Sequence, residues 1–131
     1  MRRKERYLGK INFILSKIEN LPEFDNDLLR DACFYRIQVA IGAGMDIVAM
    51  LVKDIGKEIK DDYSNIETLV KEEILDKELG KKMIELNGLR NVIVHKYNKI
   101  EEEIIKEKKE MIVSILEQFV EKVENVIEKI L

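Results

Sequence analysis

Helical periodicity is the feature of this sequence that most constrains its fold. Apolar residues recur every three or four positions through most of the 131 residues, which is the spacing of one buried face of an α-helix. One proline and six glycines leave few points at which this pattern is interrupted. No segment shows the sustained alternation of apolar and polar residues that is typical of a half-buried β-strand. The pattern predicts an all-α protein, an up-and-down bundle of four to five helices, in one domain over residues 1–131.

Residues that cap or interrupt helices set the predicted boundaries. Pro22 disfavours helical conformation at the residue before it, so the first helix is expected to end ahead of it. A capping-box pattern from Ser64 to Glu67 predicts the start of a short third helix, and Asp76 is expected to cap the fourth. The predicted ranges are about 2–20, 25 or 27 to 53, 66–74, 76 to at least 94, and 101–131.

Small residues, Ala-Ile-Gly-Ala-Gly, occupy positions 40–44 at the centre of the second predicted helix. Each glycine inside a helix costs roughly 1 kcal/mol relative to alanine, so we expect a second backbone to pack closely there. In the other helices, the apolar stripes predict the buried side. These stripes include Leu8 and Leu15 in the first helix, Val94 in the fourth and Ile104 in the fifth.

Charged residues are abundant but nearly balanced. The chain is 46% hydrophobic and 37% charged, with 23 Lys and Arg against 26 Asp and Glu and a formal net charge of −3. This composition excludes a disordered chain and a global basic field that would attract nucleic acid. Any RNA binding must therefore depend on a local arrangement, and no DNA binding is expected. Four basic residues near the start could contact RNA phosphates, but we favour a frayed, solvated terminus for them: Arg2, Arg3, Lys4 and Arg6.

Targeting and membrane signals are missing from the sequence. The basic start is followed by a segment that contains Lys10, Asn12 and Lys17, which is unlike the apolar core of a signal peptide. The most apolar stretch, 37–52, is shorter than the roughly 20 residues needed to span a bilayer and contains Asp46. We therefore expect a cytoplasmic protein with no membrane contact.

Metal and cofactor chemistry have little support in the residue set. Cys33 is the single cysteine and His95 the single histidine, so no Cys/His zinc site can be assembled. Gly42 and Gly44 lie inside a predicted helix rather than after a strand, so they do not form a phosphate-cradling loop. We expect no metal and no cofactor, and we expect Cys33 to be a small buried hydrophobic residue.

One segment, residues 90–97, concentrates the residue types that carry chemistry. On a helix Arg90 and Tyr97 share one face, and Asn91 and His95 share a neighbouring face. Arg90 and His95 are five residues apart, so they diverge by about 140° around a continuous helix. The two side chains could converge on one phosphate if the helix ends or bends near His95. They could also converge if two copies of the segment face each other across a dimer.

These residue types suit RNA cleavage without a metal ion. A histidine with a pKa near 6.5 can take the proton from a ribose 2′-OH or give one to the leaving oxygen. The Arg90 fork can hold the phosphate and stabilise charge that grows in the transition state. Tyr97 can donate a hydrogen bond or stack on a base. The spacing alone also fits a histidine that only caps a helix, or one that lies at the surface with its hydrogen bonds satisfied.

The string from Leu89 to Tyr97 resembles the R-x4-H-x-Y signature of the HEPN superfamily, specifically its HepT-like branch. The order of structural elements is also similar: Asp62-Tyr63 is followed by a short helix, the motif and a long last helix. Together with the second helix, the resemblance covers nearly the whole chain. Segment 38–47 resembles the second helix of that family. The resemblance implies a HEPN-like helical bundle that forms a homodimer and brings two R-x4-H motifs into one cleft.

The same resemblance implies an activity and a partner. Active HepT-like proteins are metal-independent endoribonucleases that act as toxins of type VII toxin–antitoxin systems. Their usual partner is a minimal nucleotidyltransferase antitoxin, which transfers AMP from ATP to the motif tyrosine. Carried over to this sequence, Arg90 and His95 are the catalytic pair and Tyr97 is the AMPylation site. Asn91 matches a position often filled by Asn and is interpreted as orienting His95 or the motif backbone.

Asp46 is a further supporting candidate, because an unpaired carboxylate in an apolar helix centre would be costly. It could pair with Arg90 or orient His95. It could instead have a structural role, as a cap or as a bridge to a lysine at a dimer seam, and this is the alternative we favour. Tyr35 and Arg36 are expected to be packing or interface groups.

Two functions other than a toxin ribonuclease stay open. The chain could be a non-catalytic helical partner or regulatory subunit of a minimal nucleotidyltransferase, or a purely structural bundle. The first alternative shares the fold and the partner with the ribonuclease. RNA cleavage that depends on Arg90 and His95 separates the ribonuclease from both.

Overall fold

Five α-helices make up the fold. The computed structural model describes residues 2–23, 25–95 and 99–131, and side chains over the same ranges except 2 and 99–101. Within these ranges the chain contains no β-strand, and the all-α prediction is confirmed. The helices are α1 (Arg2–Ile18), α2 (Asp27–Asp54), α3 (Asp62–Lys71), α4 (Lys77–Val94) and α5 (Lys99–Ile130).

The central helix is α2, which contacts each of the other four. Its packing against α1 is antiparallel: Arg3 pairs with Asp54 near the end of α2, whereas Lys10 pairs with Asp46 about two turns earlier. Twelve residues of α2 are buried. Length and composition alone would allow α2 to cross a membrane, but 56% of its most apolar window is buried in the bundle. This burial is the pattern of a core helix.

The hairpin of α3 and α4 is also antiparallel. Val70 at the end of α3 lies beside Gly80 at the start of α4, and Asp62 at the start of α3 lies beside Arg90 near the end of α4. Five helices that include these two antiparallel pairs confirm the predicted all-α helical bundle. The core that they enclose is aliphatic, with Phe119 among its largest fully buried side chains.

The start of α3 differs from the prediction. Asp61 caps the helix, with its carboxylate accepting from the backbone N–H of Ser64 at 2.8 Å, so Ser64 is already inside the helix. Two capping residues compete within four positions, and the upstream one adds nearly a full turn to the helix. The helix also ends earlier than predicted, because Glu73 adopts the left-handed region at φ 61°.

The other helix ends lie close to their predicted positions. Asn26 caps α2 by accepting from the N–H of Leu29 at 2.9 Å. Asp76 caps α4, as predicted, by accepting from the N–H of Leu79 at 2.7 Å. The first helix ends at Ile18, two residues before the predicted limit.

Some apolar residues predicted to be buried are exposed. Leu8, Leu15, Val94 and Ile104 are each more than a third exposed, so the prediction was wrong for them. The apolar stripes on these helices are wider than the strips that their neighbours cover. Met50 and Met111, which also lie on apolar faces, are only partly buried.

The glycines of α2 face side chains rather than a second backbone. A Cβ atom at Gly44 would lie 3.6 Å from Met83 and a Cβ at Gly42 would lie 3.6 Å from Arg90, both ordinary contacts. The expected close backbone approach at the centre of α2 is therefore wrong within this chain. The tight contact lies at Gly80, where a Cβ would come within 2.5 Å of Val70 Cγ2.

Candidate active site

Arg90 projects from α4 across the face of α2. Its Nε would lie 3.6 Å from a Cβ on Gly42, so the guanidinium passes beside a position that carries no side chain. Among the described side chains, its carboxylate partner is Asp62, with 3.7 Å between Nη1 and Oδ2. This distance exceeds the roughly 2.7–2.9 Å of a charge-assisted hydrogen bond, and the side chain is 32% exposed. The guanidinium can therefore still donate to an anion from the solvent.

An open cavity of about 680 Å³, which we call the Arg90 groove, runs between α1, α2 and α4. Its α1 wall consists of residues at spacings of three, four and seven, which form one helix face. Asp46 lies in the same groove, and its Oδ2 accepts from Lys10 Nζ at 2.9 Å. The groove is lined by Arg6, Gly9, Lys10, Phe13, Gln38, Val39, Gly42, Ala43, Asp46, Met50 and Arg90.

His95 lies at the point where α4 ends. Its backbone N–H donates to the Asn91 carbonyl at 2.9 Å, but its φ of −96° and ψ of 96° take the chain out of the helix. The side chain is exposed and does not line the Arg90 groove. The helix thus ends where convergence with Arg90 would require it to end. A single chain nevertheless places only the arginine, and not the imidazole, in the groove.

The other predicted site residues occupy different positions relative to the groove. Asn91 is exposed on the last turn of α4, and its carbonyl holds the backbone of His95. Asp46 is 59% exposed and paired with Lys10, so it forms a lysine bridge within the chain. Tyr97 lies outside the described residues.

The basic residues at the start of the chain belong to α1, whereas a frayed terminus was predicted for them. The helix begins at Arg2, Arg3 Nη2 lies 2.6 Å from Asp54 Oδ1, and Lys4 Nζ lies 2.8 Å from Glu128. The expectation of a frayed terminus is therefore wrong for Arg3 and Lys4, which pair with carboxylates of α2 and α5. Arg6 is exposed, as expected of a solvated residue. The spacing of Arg6, Lys10 and Phe13 on one helix face was the available signal, but without the fold nothing showed that this face lines the groove.

Two further predictions concern single side chains. Cys33 is fully buried, and burial raises the pKa of its thiol, which confirms the prediction of a small buried hydrophobic residue. The guanidinium of Arg36 donates to the carbonyls of Ser16 and Lys17 at the end of α1, which is the packing role that was expected. In the described part of the chain, no group of three or more His, Cys, Asp or Glu residues is arranged to hold a metal ion.

Comparison with known proteins places the chain in a family. Residues 5–123 match the profile of the family described as "Ribonuclease HepT-like". A protein of Archaeoglobus fulgidus named "Putative RNase" is 41% identical over 129 residues, 98% of each chain. A protein of Methanocaldococcus jannaschii with a similar RNase name is 48% identical over 67 residues, 51% of this chain and 77% of its own.

Solved structures with the same fold are more distant in sequence. A chain of the toxin–antitoxin MntA-HpeT mutant superposes with a TM-score of 0.82 at 20% identity, covering 91% of this chain and 98% of its own. The tri-AMPylated HEPN toxin of Shewanella oneidensis, in complex with MNT antitoxin, gives 0.79 at 19% identity, covering 91% and 96%. The fold is therefore that of HEPN toxin structures. Because the profile match and the 41% identical relative both span nearly the whole sequence, this chain belongs to the HepT-like ribonuclease family.

Proposed function

We propose that this chain is a metal-independent endoribonuclease toxin of a type VII toxin–antitoxin pair, with Arg90 and His95 as its catalytic residues. The observation that carries the proposal is the end of α4. The only histidine of the chain stands exposed immediately after the helix, five residues beyond a groove-lining arginine. Membership of a ribonuclease family supports the same chemistry.

The chemistry needs an acid–base group and a charge stabiliser. His95 takes the proton from a ribose 2′-OH, which attacks the adjacent phosphorus, or protonates the 5′-oxygen that leaves. Arg90 donates to the non-bridging phosphate oxygens, on which negative charge grows in the transition state. The His95 side chain is exposed, so its ring nitrogens are accessible to an RNA strand.

In the proposed homodimer, a second copy of the chain brings its His95 to Arg90 of the first copy. Within one chain His95 does not line the Arg90 groove, so the pair works if Arg90 of one copy and His95 of another meet in a shared cleft. The outer face of α2 supports such a homodimer. It carries the strongly exposed apolar side chains Leu28 and Tyr35, and burial of such side chains drives association.

Tyr97, two residues after His95, is the proposed site of inactivation. A neighbour of the same fold is described as a tri-AMPylated toxin in complex with MNT antitoxin, which supports a minimal nucleotidyltransferase as the partner here. AMP on Tyr97 adds a negative phosphodiester that would occupy Arg90 and repel the RNA backbone.

The AMPylation proposal predicts a change in mass. Incubation with the cognate nucleotidyltransferase and ATP is expected to add one or more AMP groups to the wild type, and none to Tyr97→Phe. Intact-mass spectrometry measures the addition, and RNA cleavage should fall in parallel. Addition of AMP to Tyr97→Phe at the wild-type level would show that another residue is the acceptor.

RNA cleavage in EDTA tests the activity itself. The unmodified wild type, checked by intact mass, is expected to cleave RNA, whereas His95→Ala should lose at least about a hundredfold in rate. Lys81→Ala, an exposed change on another face of α4, serves as the matched control and should retain wild-type activity.

The outcomes separate the three functional hypotheses. Cleavage that survives in His95→Ala would remove His95 from the mechanism. An inactive wild type that still binds the nucleotidyltransferase would favour the non-catalytic regulatory partner. An inactive wild type that binds neither RNA nor the transferase would leave only the structural bundle.

A further inference from the structure

A second cavity continues the Arg90 groove along α1. This cavity of about 470 Å³, which we call the end cavity, lies between the start of α1 and the end of α2. Arg6 and Met50 line both cavities, so the two adjoin, and we call them together the channel. From Arg3 to Phe13 the channel follows ten residues of α1, which is about 15 Å at 1.5 Å per residue.

The channel has the opposite charge balance from the rest of the molecule. Five cationic side chains and two carboxylates line it, although the whole chain carries more acidic than basic residues. The carboxylates are Asp46 and Asp54. The cations are Arg3, Arg6, Lys10, Lys53 and Arg90.

The described carboxylates cancel only part of the positive charge in the channel. Asp54 and Asp46 neutralise Arg3 and Lys10. Neither Arg6 nor Lys53 has a carboxylate partner among the residues with described side chains, and both side chains are exposed. Unpaired cations in a shared groove attract an anion, and cations spaced along a groove suit an anion with several charges in a row.

Phe13 adds a feature that an acidic protein segment would not require. Its ring is 40% exposed in the Arg90 groove, and Lys17 Nζ lies 5.3 Å from the ring centroid. A groove that combines cations with an exposed aromatic ring is typical of single-stranded nucleic-acid binding, in which bases stack on rings and phosphates meet the cations. The antiparallel register of α1 and α2 places Phe13 at the same end of the channel as Arg90.

We propose that this channel binds single-stranded RNA and leads it to Arg90, with Arg6 and Lys53 as positioning residues that hold phosphates away from the scissile bond. The inference deepens the proposed ribonuclease function and rests on it. Phosphates bound along α1 would fix the register of the strand, so that one phosphodiester reaches Arg90 while a base stacks on Phe13.

The test compares charge reversals inside and outside the channel. The first protein carries Arg6→Glu and Lys53→Glu. The control carries Lys71→Glu and Lys81→Glu, which reverse two exposed charges on α3 and α4 outside the channel. Each pair is made in the His95→Ala background, so that binding of a fluorescently labelled single-stranded RNA is measured without cleavage, and helical content is checked by circular dichroism.

We expect the channel pair to weaken RNA binding by at least about tenfold, because it removes two charge-assisted phosphate contacts. The dependence of log Kd on log salt should flatten by about 1.4, which is about 0.7 for each lost cation on a single strand. The control pair changes the net charge by the same amount, so any smaller change that it causes in RNA affinity or in the salt dependence measures the effect of net charge alone. With His95 intact, the channel pair should raise KM for RNA cleavage and leave kcat nearly unchanged.

Other outcomes overturn the inference in distinguishable ways. Wild-type cleavage, together with equal RNA affinity and KM in the channel pair, would reject the channel and leave the ribonuclease intact. A wild type that neither cleaves nor binds RNA would reject both proposals. If the channel pair binds RNA normally but loses binding to polyglutamate, the channel serves an acidic protein instead. Should the reversed pair not fold, Arg6→Gln with Lys53→Gln replaces it, and unchanged RNA affinity in that folded variant rejects the channel.

Discussion

At Tyr7, burial and a hydrogen bond act on the same hydroxyl group. The side chain is fully buried, and its Oη donates to Asp54 Oδ2 at 2.6 Å. Burial first, and then the neighbouring carboxylate, favour the neutral phenol and raise its pKa far above the ordinary value near 10. Asp54 is therefore held between Tyr7 and Arg3, which fastens the start of α1 to the end of α2.

The Tyr7 phenol makes folding stability sensitive to alkaline pH. The unfolded chain releases this proton near pH 10, whereas the folded chain retains it. The contribution is thus fully present below about pH 10 and is lost as the pH rises further, by up to about 1.4 kcal/mol per pH unit. Urea denaturation across this range measures the free energy of unfolding. Tyr7→Phe is expected to be about 1 kcal/mol less stable at neutral pH and to show a shallower alkaline decline.

Tyr35→Phe is the matched control, because it removes the same hydroxyl group from a tyrosine that is more than half exposed. Its alkaline decline should equal that of the wild type. If Tyr7→Phe also declined with the wild-type slope, then groups other than Tyr7 would govern the alkaline loss.

The candidate catalytic residues could be selected from sequence, but their surroundings could not. Arg90 and His95 stand out by residue type and spacing in one short segment. The groups around Arg90 come from elsewhere: Gly42 from α2 and Asp62 from α3. Sequence periodicity identifies the faces of one helix but does not show which faces of different helices meet, and so the channel along α1 was not predicted.

Among the glycines of the described fold, Gly80 has the closest neighbour, at the contact between α3 and α4. A Cβ at Gly80 would come within 2.5 Å of Val70 Cγ2, a separation that real Cβ contacts essentially never show. A β-branched valine cannot swing its methyl group away freely, because its χ1 angle is restricted. The absence of a side chain at position 80 therefore sets how closely the two helices pack.

Gly80→Ala and Gly88→Ala make the same change on the same helix with opposite expected signs. At Gly88 no described atom lies within 4 Å of the new Cβ, so alanine should raise stability by about 1 kcal/mol through helix propensity. At Gly80 overpacking costs about 1–3 kcal/mol and should outweigh that gain. Thermal or urea denaturation gives both values, and adding Val70→Ala should recover part of the loss in Gly80→Ala. Equal stabilisation at the two glycines would contradict the tight contact.

Helix boundaries were predictable where a single capping signal was present. Asp76 is the only strong cap before α4, and it is used. Before α3 the sequence offers both Asp61 and the Ser64 capping box, and local patterns do not rank two caps one turn apart. The hydrogen bonds of Asp61 to Ser64 also lower the pKa of that carboxyl, as expected of an anion at a helix N-terminus.

For the molecule as a whole, fold class followed from periodicity because few prolines or glycines interrupt it. The distribution of charge did not follow from the net charge of −3. Cations and carboxylates are mixed along the sequence, but the packing of α1 against α2 brings an excess of cations to one channel. A balanced composition thus excludes a uniform basic surface without excluding a local nucleic-acid site.

The proposed dimer predicts that two inactive variants can complement each other, which is impossible if both catalytic residues act within one chain. If Arg90 of one copy acts with His95 of the other, then Arg90→Ala and His95→Ala homodimers each lack a complete pair. A heterodimer of the two variants restores one pair across the interface, because one copy supplies Arg90 and its partner supplies His95. If both residues act within one chain, every dimer in the mixture is incomplete.

Mixing the two inactive proteins under conditions of subunit exchange is therefore expected to restore a measurable fraction of wild-type RNA cleavage. Light scattering after size-exclusion chromatography should first show a dimer at micromolar concentration, and co-purification of differently tagged variants should confirm exchange. A doubly substituted Arg90→Ala, His95→Ala protein mixed with either variant is the control and should stay inactive. No recovery in a mixture that contains proven heterodimers would place the catalytic pair within one chain. A strict monomer would remove the shared cleft and leave the separation of His95 from the Arg90 groove to be closed by movement of the α4 end.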